Sequence, residues 1–319
     1  MAHIFFIDPL EKLNIKKDST LMMALTFQEA GEKCYLLFEE DFYMTNRGNP
    51  HFDLYTFTGS FKEDGCYLDK LEKKEKTNYQ IENTDILHMR IDPPYDTRYQ
   101  RYLWMLDIIK EQSKCTVIND PLKIMKHNEK LVAYKNEAYS HPSYVGSSKR
   151  AFELFVEEMS KLGHEELILK PLDLYSGIGV EKIKIDNNLI HIFNKKVKEY
   201  HGAIVAQPFI KQIYQGEYRS VFFKGVHLGT IIKKPQQGEY LANIAQGAKF
   251  EKTQLPSKMF NICQQMADEL LKDGVYFLAF DILGEGVNEA NITCPGLLVE
   301  VSYAHQKNLC LDILKLIKS

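Results

Sequence analysis

Three hard oxygen donors stand close together late in the chain: Asp281, Glu289 and Asn291. Asp281 follows the apolar run 275–280, a turn with Gly284 and Gly286 comes next, and Glu289 and Asn291 alternate with Ala290 and Ile292. Residues two apart on a strand point to one face, so a hairpin could aim all three side chains at one point. A Mg²⁺ ion takes a few carboxyl or amide oxygens of this kind and completes its octahedron with phosphate and water. The plainer reading is a polar hairpin whose acids are solvated.

Cations that could face such a centre lie far upstream. Lys170 leaves an apolar strand candidate and is followed by Asp173, Gly177 and Gly179. Glycines let backbone N–H groups approach phosphate oxygens, and a lysine adds a fixed charge. The Gly-Lys-Ser/Thr of a P-loop is absent, so an ordinary β-hairpin is the alternative. Lys130 could reach a second phosphate or lie exposed. Gln207, Pro208, Phe209 and Ile210 follow a strand candidate; an extended backbone beside an aromatic ring can hold a flat purine, or simply be an edge strand interrupted by proline. Arg219 opens another strand, to serve a charged ligand or a surface ion pair.

The elements that must position these groups read as follows. Strands are predicted over 3–7, 34–38, 85–89 and 115–118. Helices fall over 18–31, with Asp18 or Ser19 as N-cap and Gly31 as stop, and over 96–112. The charged run 69–76 reads as a solvated helix or loop. Strands alternating with helices give a doubly wound α/β unit. Beyond residue 120 the pattern changes. A helix capped by Ser147 or Ser148 runs to 162, and 167–170 is a strand. The segments 180–185, 190–193, 203–207, 219–223 and 227–232 are mostly strand-like. A helix over 257–272 then leads into a buried strand over 275–283. This part is α+β with antiparallel hairpins. The domains are placed at 1–122 and 123–319, with a lid subdomain at about 123–205.

The chain has 319 residues, 45% apolar and 26% charged, with a net charge of −3. This is a globular composition with room for about two domains, at roughly 150 residues each. No basic field recruits nucleic acid or anionic lipid, and no apolar run nears the roughly 20 residues that span a bilayer. The opening residues, Met-Ala-His-Ile-Phe-Phe-Ile, read as a buried strand rather than a signal peptide. Six scattered cysteines without Cys-x-x-Cys fit reduced thiols in the cytoplasm. Cys294 reads as structural, and the histidines show no ligand spacing.

In order, these signals resemble the ATP-grasp superfamily and, more closely, the bacterial glutathione synthetase family. The resemblance is carried by the opening Ile7-Asp8-Pro9 to Lys17-Asp18-Ser19-Thr20. It continues in Met89-Arg90-Ile-Asp92-Pro-Pro-Tyr-Asp96, Asn128-Glu-Lys130-Leu, Leu169-Lys170-Pro-Leu-Asp173, and Asp281-Ile-Leu-Gly with Glu289-Ala-Asn291-Ile-Thr-Cys-Pro295. It spans almost the whole chain and implies an α/β N-terminal domain followed by an α+β ATP-grasp domain.

The resemblance also implies roles. Lys130 and Lys170 would hold nucleotide phosphates, with Gly177 and Gly179 in the covering loop. Gln207, Pro208, Phe209 and Ile210 would read adenine. Asp281, Glu289 and Asn291 would hold Mg²⁺ or Mn²⁺. Arg219, with Lys170, would act at the reacting phosphate. Arg90, Asp92, Lys233 and Asn243 would line the substrate site. The implied enzyme joins γ-glutamylcysteine to glycine through an acyl phosphate, with ATP as co-substrate and release of ADP and phosphate. A homo-oligomer in the cytoplasm is expected, with neither nucleic acid nor membrane as partner.

The departures are specific. Leu174, Tyr175 and Ser176 stand where the family's loop is mostly glycine. Leu241 and Val299 replace arginines, and Lys233 replaces another. Lys249 is a further basic position in the large loop. Neither leucine nor valine can grip a carboxylate as arginine does. A related ligase with another acid or amine is therefore the alternative function, and a non-catalytic nucleotide-binding protein the third. Glu300, on the apolar stretch 297–301, is an alternative acidic partner.

Overall fold

The computed structural model describes residues 1–175 and 177–319; Ser176 of the glycine-poor loop lies outside the described residues. The first domain comprises β1 (Ala2–Ile7), α1 (Ser19–Glu29), β2 (Lys33–Leu37), β3 (His51–Phe61), β4 (Leu68–Gln80), β5 (Ile86–Arg90), α2 (Thr97–Ser113) and β6 (Thr116–Ile118), and the short α3 (Pro121–Lys126) follows. Its six-stranded sheet runs β4-β3-β2-β1-β5-β6. β1, β2, β5 and β6 are parallel, and β3 and β4 add an antiparallel edge.

Alternation along β1 decides which helix covers which face. Ala2, Ile4 and Phe6 pack with Tyr99, Leu103 and Leu106 of α2, whereas Phe5 and Ile7 pack with Leu21, Ala24 and Leu25 of α1. With both faces covered, β1 is buried at every position, as an interior parallel strand should be. Asp18 is the cap of α1, accepting from the Thr20 and Leu21 amides, and Asp96 caps α2 through the Tyr99 amide.

The segment 69–76 is not a solvated helix or loop but part of β4, paired along its length with β3. Two register shifts in that hairpin break the period-2 pattern, so the alternation cannot be read from sequence. Leu68 and Leu71 are buried, while Lys70, Glu72 and Lys74 face solvent. A charged edge of this kind resists pairing with another chain.

The second unit holds β7 (Tyr144–Gly146), α4 (Lys149–Lys161), β8 (Glu166–Pro171), β9 (Glu181–Lys184), α5 (Leu189–Glu199) and β10 (Ile204–Pro208). Its four-stranded antiparallel sheet runs β7-β10-β8-β9. Ser148 caps α4 through the Ala151 amide. The strand expected at 190–193 is instead the start of α5. Ile190, Phe193 and Val197 recur at helical spacing over the small core, a period that four residues cannot display. Phe193 stacks on Phe152 of α4 at 4.0 Å.

The third unit comprises β11 (Glu217–Phe223), β12 (Val226–Lys234), β13 (Lys249–Lys252), α6 (Ser257–Lys272), β14 (Phe277–Leu283), β15 (Gly286–Asn291), α7 (Leu298–His305) and α8 (Cys310–Lys318). Its five-stranded antiparallel sheet runs β13-β12-β11-β14-β15. The first and third units share two core clusters, one joining α2 to α6, the other joining α1 to α8. The four-stranded sheet has a core of its own. Asn119 pins the two larger units together. Its Nδ2 donates to the Phe277 and Ile292 carbonyls at 2.7 and 2.8 Å, and its Oδ1 accepts from the Tyr276 and Phe277 amides. Among the described residues no helix is long and apolar enough to cross a membrane, and all six cysteines are free thiols.

Candidate active site

A cavity of about 360 Å³ lies between the four-stranded and five-stranded sheets, with Asp92 and Pro93 closing it from the first domain. The β14–β15 hairpin forms its floor. Asp281 is in register with Glu289, and Asn291 lies two residues on, so the three side chains share a face. A register shift leaves Asn288 as the extra residue of β15, and the bulge turns it toward the cavity as well. Asp281 is not a solvated acid: it is 6% exposed. Its Oδ1 meets Lys233 Nζ at 2.8 Å and Arg219 Nε at 3.3 Å, and its Oδ2 accepts from Asn291 at 3.2 Å. Against the cost of burial, the Arg219 and Lys233 charges hold its carboxyl below the usual range.

Lys130 and Lys170 reach this floor from the opposite wall. Lys130 is buried rather than exposed, 3.1 Å from Glu289 and donating to the Leu174 and Leu172 carbonyls at 2.8 and 3.3 Å. It therefore ties the glycine-containing loop to the acidic hairpin. Lys170, near the end of β8, donates to Asn288 Oδ1 at 2.8 Å. Burial pulls its ammonium down to about 8. Arg219 on β11 spends Nε on the ion pair to Asp281, and its buried Nη1 has no hydrogen-bond partner among the described residues. A buried guanidinium left in that state suits an anionic ligand.

The glycine loop and the end of β10 form the remaining walls. Gly177 and Gly179 have positive φ, at 77° and 74°. A Cβ on Gly179 would lie 2.5 Å from the Tyr200 hydroxyl, so only glycine fits there. Gln207, Pro208, Phe209 and Ile210 all line the cavity. The Phe209 amide is already taken by the Glu166 carbonyl at 2.9 Å, and Gln207 donates to the Ser143 hydroxyl. Asn243 lines the cavity and caps its own loop, accepting from the Ala245 amide. Asp92 faces the cavity too, with its carboxyl pushed up by burial.

Arg90 is placed differently from the other substrate-site candidates. It does not line the cavity. Its guanidinium donates to Thr20 Oγ1 and the Pro295 carbonyl at 2.9 Å each and stacks on Phe277. It sits behind the wall as a positioning group. The two lost arginines also separate: Leu241 faces the cavity, whereas Val299 is buried in the core beneath α7. Glu300 lies in the first turn of α7, outside the cavity lining.

Three further residues belong to the site. Glu217 shares Lys233 with Asp281, at 2.8 Å. It lies two residues before Arg219 on the same strand face, a signal present in the sequence. Asn288 had none, because the bulge that turns it is tertiary. Glu129 is a pin: Oε1 accepts from the Ile292 and Thr293 amides and the Thr293 hydroxyl, which fixes the end of β15 beside Lys130. As a cation site the floor offers two carboxylates and an amide. Among the described residues no cluster of three or more His, Cys, Asp or Glu offers an alternative. That donor set fits a hard cation sharing its remaining positions with phosphate and water.

Comparison with known proteins places the whole chain. Residues 1–124 match the family model for the prokaryotic glutathione synthetase N-terminal domain, and residues 129–306 match the model for the prokaryotic glutathione synthetase ATP-grasp domain. Glutathione synthetase of Parasynechococcus marenigrum (strain WH8102) is 25% identical over 320 residues, covering 100% of this chain and 99% of that protein. The Vibrio parahaemolyticus glutathione synthetase is 28% identical over 302 residues, covering 93% and 92%. Among solved structures, the ATP-grasp ligase PsnB complexed with minimal precursor, Mg and ADP superposes with a TM-score of 0.60 at 13% identity, over 99% of this chain and 98% of that one. That likeness is one of fold.

Proposed function

We propose that this chain, which belongs to the prokaryotic glutathione synthetase family, uses ATP to activate a substrate carboxylate as an acyl phosphate and transfers the acyl group to an amine. γ-Glutamylcysteine and glycine are the expected pair, as the names of its full-length relatives suggest. The observation that carries the reading is the convergence of Lys130, Lys170 and Arg219 on Asp281, Glu289 and Asn291 in one cavity.

The chemistry needs placement and charge control more than covalent catalysis. A carboxylate oxygen of the acid attacks the γ-phosphorus and ADP leaves. The amine nitrogen then attacks the acyl carbon, phosphate departs with the C–O electron pair, and the amine loses its proton. Arg219 is suited to the transferring phosphoryl group because its buried Nη1 has no hydrogen-bond partner among the described residues and its Nε makes only the 3.3 Å ion pair to Asp281. Lys170 serves the same charge, and Lys130 holds the phosphate-covering loop in place. Mg²⁺ or Mn²⁺ at Asp281, Glu289 and Asn291 would neutralise phosphate charge. Gln207, Pro208, Phe209 and Ile210 line the part of the cavity suited to a flat base. Tyr240 packs edge-on to Phe209 at 6.3 Å and helps to keep water out.

A second reading, another acid or amine on the same chemistry, is favoured by Leu241 facing the cavity. The test is phosphate and ADP release from ATP-Mg with γ-glutamylcysteine plus glycine, run beside a panel of other acids and amines. Turnover with the first pair supports the expected substrates. Turnover only in the panel selects the second reading. ATP binding without ADP formation in any mixture overturns the ligase and leaves a nucleotide-binding protein.

A further inference from the structure

The outer face of α2 carries a stripe that no other described element covers. Tyr99, Leu103, Leu106 and Ile109 point into the core, whereas Arg101, Trp104, Ile108 and Glu111 face solvent. Those four recur at spacings of three and four, so they form one line along the helix. Trp104 is 53% exposed and Ile108 39%. A large apolar pair on adjacent turns, flanked by charge at both ends, has the make-up of an interface: an apolar centre with a polar rim.

The charges at the two ends of the stripe are unspent. Neither the Arg101 guanidinium nor the Glu111 carboxylate makes an ion pair or a side-chain hydrogen bond among the described residues. Their neighbours do: Arg98 is taken by Glu39, and Lys110 by Asp120. Glu111 is also poorly placed within its own chain. It lies in the last turn of α2, where the helix dipole disfavours a carboxylate. It also follows Asp107 by four residues, and the Asp107 carboxyl is pushed up by burial and by the Glu111 charge. A cation brought to this edge from outside would relieve both.

The stripe is a palindrome. Trp104 and Ile108 each lie two residues from Leu106, and Arg101 and Glu111 each lie five residues from it, about 7.5 Å along the axis. Two copies of α2 packed antiparallel, with a two-fold axis at the level of Leu106, set Trp104 on the partner's Ile108 and Arg101 on the partner's Glu111, each twice. We propose that the outer face of α2 is a self-complementary docking surface for a second copy of this chain, closed by two Trp104–Ile108 contacts and two Arg101–Glu111 ion pairs. A second copy supplies by symmetry what the face lacks: a carboxylate for Arg101 and a cation for the edge of Asp107 and Glu111. One helix pair is a small interface, so a dimer in the micromolar range is expected. This gives the expected homo-oligomer a face and a register, and it is independent of the reaction.

Trp104 is the chain's only tryptophan, so its fluorescence reports on this face alone. The full-length protein is sedimented, and its emission read, from about 1 to 200 μM. Mass should rise toward the dimer and the emission should move to the blue with it. Arg101→Glu and Glu111→Arg each set like charges opposite one another and should each weaken association about tenfold. The double variant restores opposite charges in reversed order and should return to within about threefold of the wild type. Ile108→Lys, at an exposed position, should lose this contact and show the emission of a water-exposed indole at every concentration. Circular dichroism confirms that each variant is folded. A monomer throughout the range, or association that leaves the Trp104 emission unchanged from that of the Ile108→Lys variant, overturns the proposal. So does a double variant that associates no more tightly than either single one. The first outcome is read on the wild type alone, whether or not a variant folds.

Discussion

Asp281 and Glu289 stand opposite one another across the β14–β15 ladder, and each is held by a different lysine: Asp281 by Lys233 at 2.8 Å, Glu289 by Lys130 at 3.1 Å. The two carboxylates stay close because cations from β12 and from the segment after α3 offset their repulsion. If they hold the phosphate-bound metal, Asp281→Asn with Glu289→Gln should lower ADP formation by about a thousandfold while the protein stays folded. Steady-state ADP release, beside circular dichroism, checks this. A double variant with near-normal turnover would disprove the metal assignment.

Arg90 should act on stability rather than on substrate. Arg90→Met leaves the Pro295 carbonyl and Thr20 hydroxyl without their donor, at a cost of about 2 kcal/mol. Because the guanidinium does not face the cavity, KM for the acid should change by less than about threefold. Urea melts and initial rates on the same preparation separate the two outcomes. A large rise in KM at unchanged stability would return Arg90 to the substrate wall.

Asn119 is the most exacting joint in the molecule. Asn119→Leu keeps the volume but strands two carbonyls and two amides at the start of β14 and the end of β15. A loss of about 3–4 kcal/mol is expected, read as a shift of the urea midpoint. Since the same strands carry Asp281 and Glu289, ADP formation should weaken in the folded fraction too.

His3 and His88 give the fold an acid limit. They share a hydrogen bond at 3.1 Å inside the first sheet, and His88 stacks on Phe5. Burial pulls His3 down to about 4 and holds His88 well below the usual imidazole value. Both are neutral when folded, so the unfolded chain binds more protons below about pH 6.5, and stability falls as pH drops from there toward 4. His3 alone should contribute a loss on the order of 3 kcal/mol by pH 4. Urea melts of the wild type and of His3→Leu at pH 7, 5.5 and 4.5 test this. The variant should show the shallower pH dependence, and parallel curves would refute it.

Local sequence determined much of this protein. Apolar runs with a polar end set β1 and β14, and Asp18, Asp96 and Ser148 are caps legible one residue at a time. The alternation at Glu289 and Asn291 put donors on one face. Those signals are short-range, so they survive reading without a structure. Tertiary contact decided the rest. Bulges hid β4 and turned Asn288 into the cavity, and a core built by distant segments made Ile190–Phe193 the start of a helix. Whether a side chain faces a cavity or the far side of its wall depends on what packs behind it. For that reason Arg90 and Asp92, two residues apart, part company, and so do Leu241 and Val299.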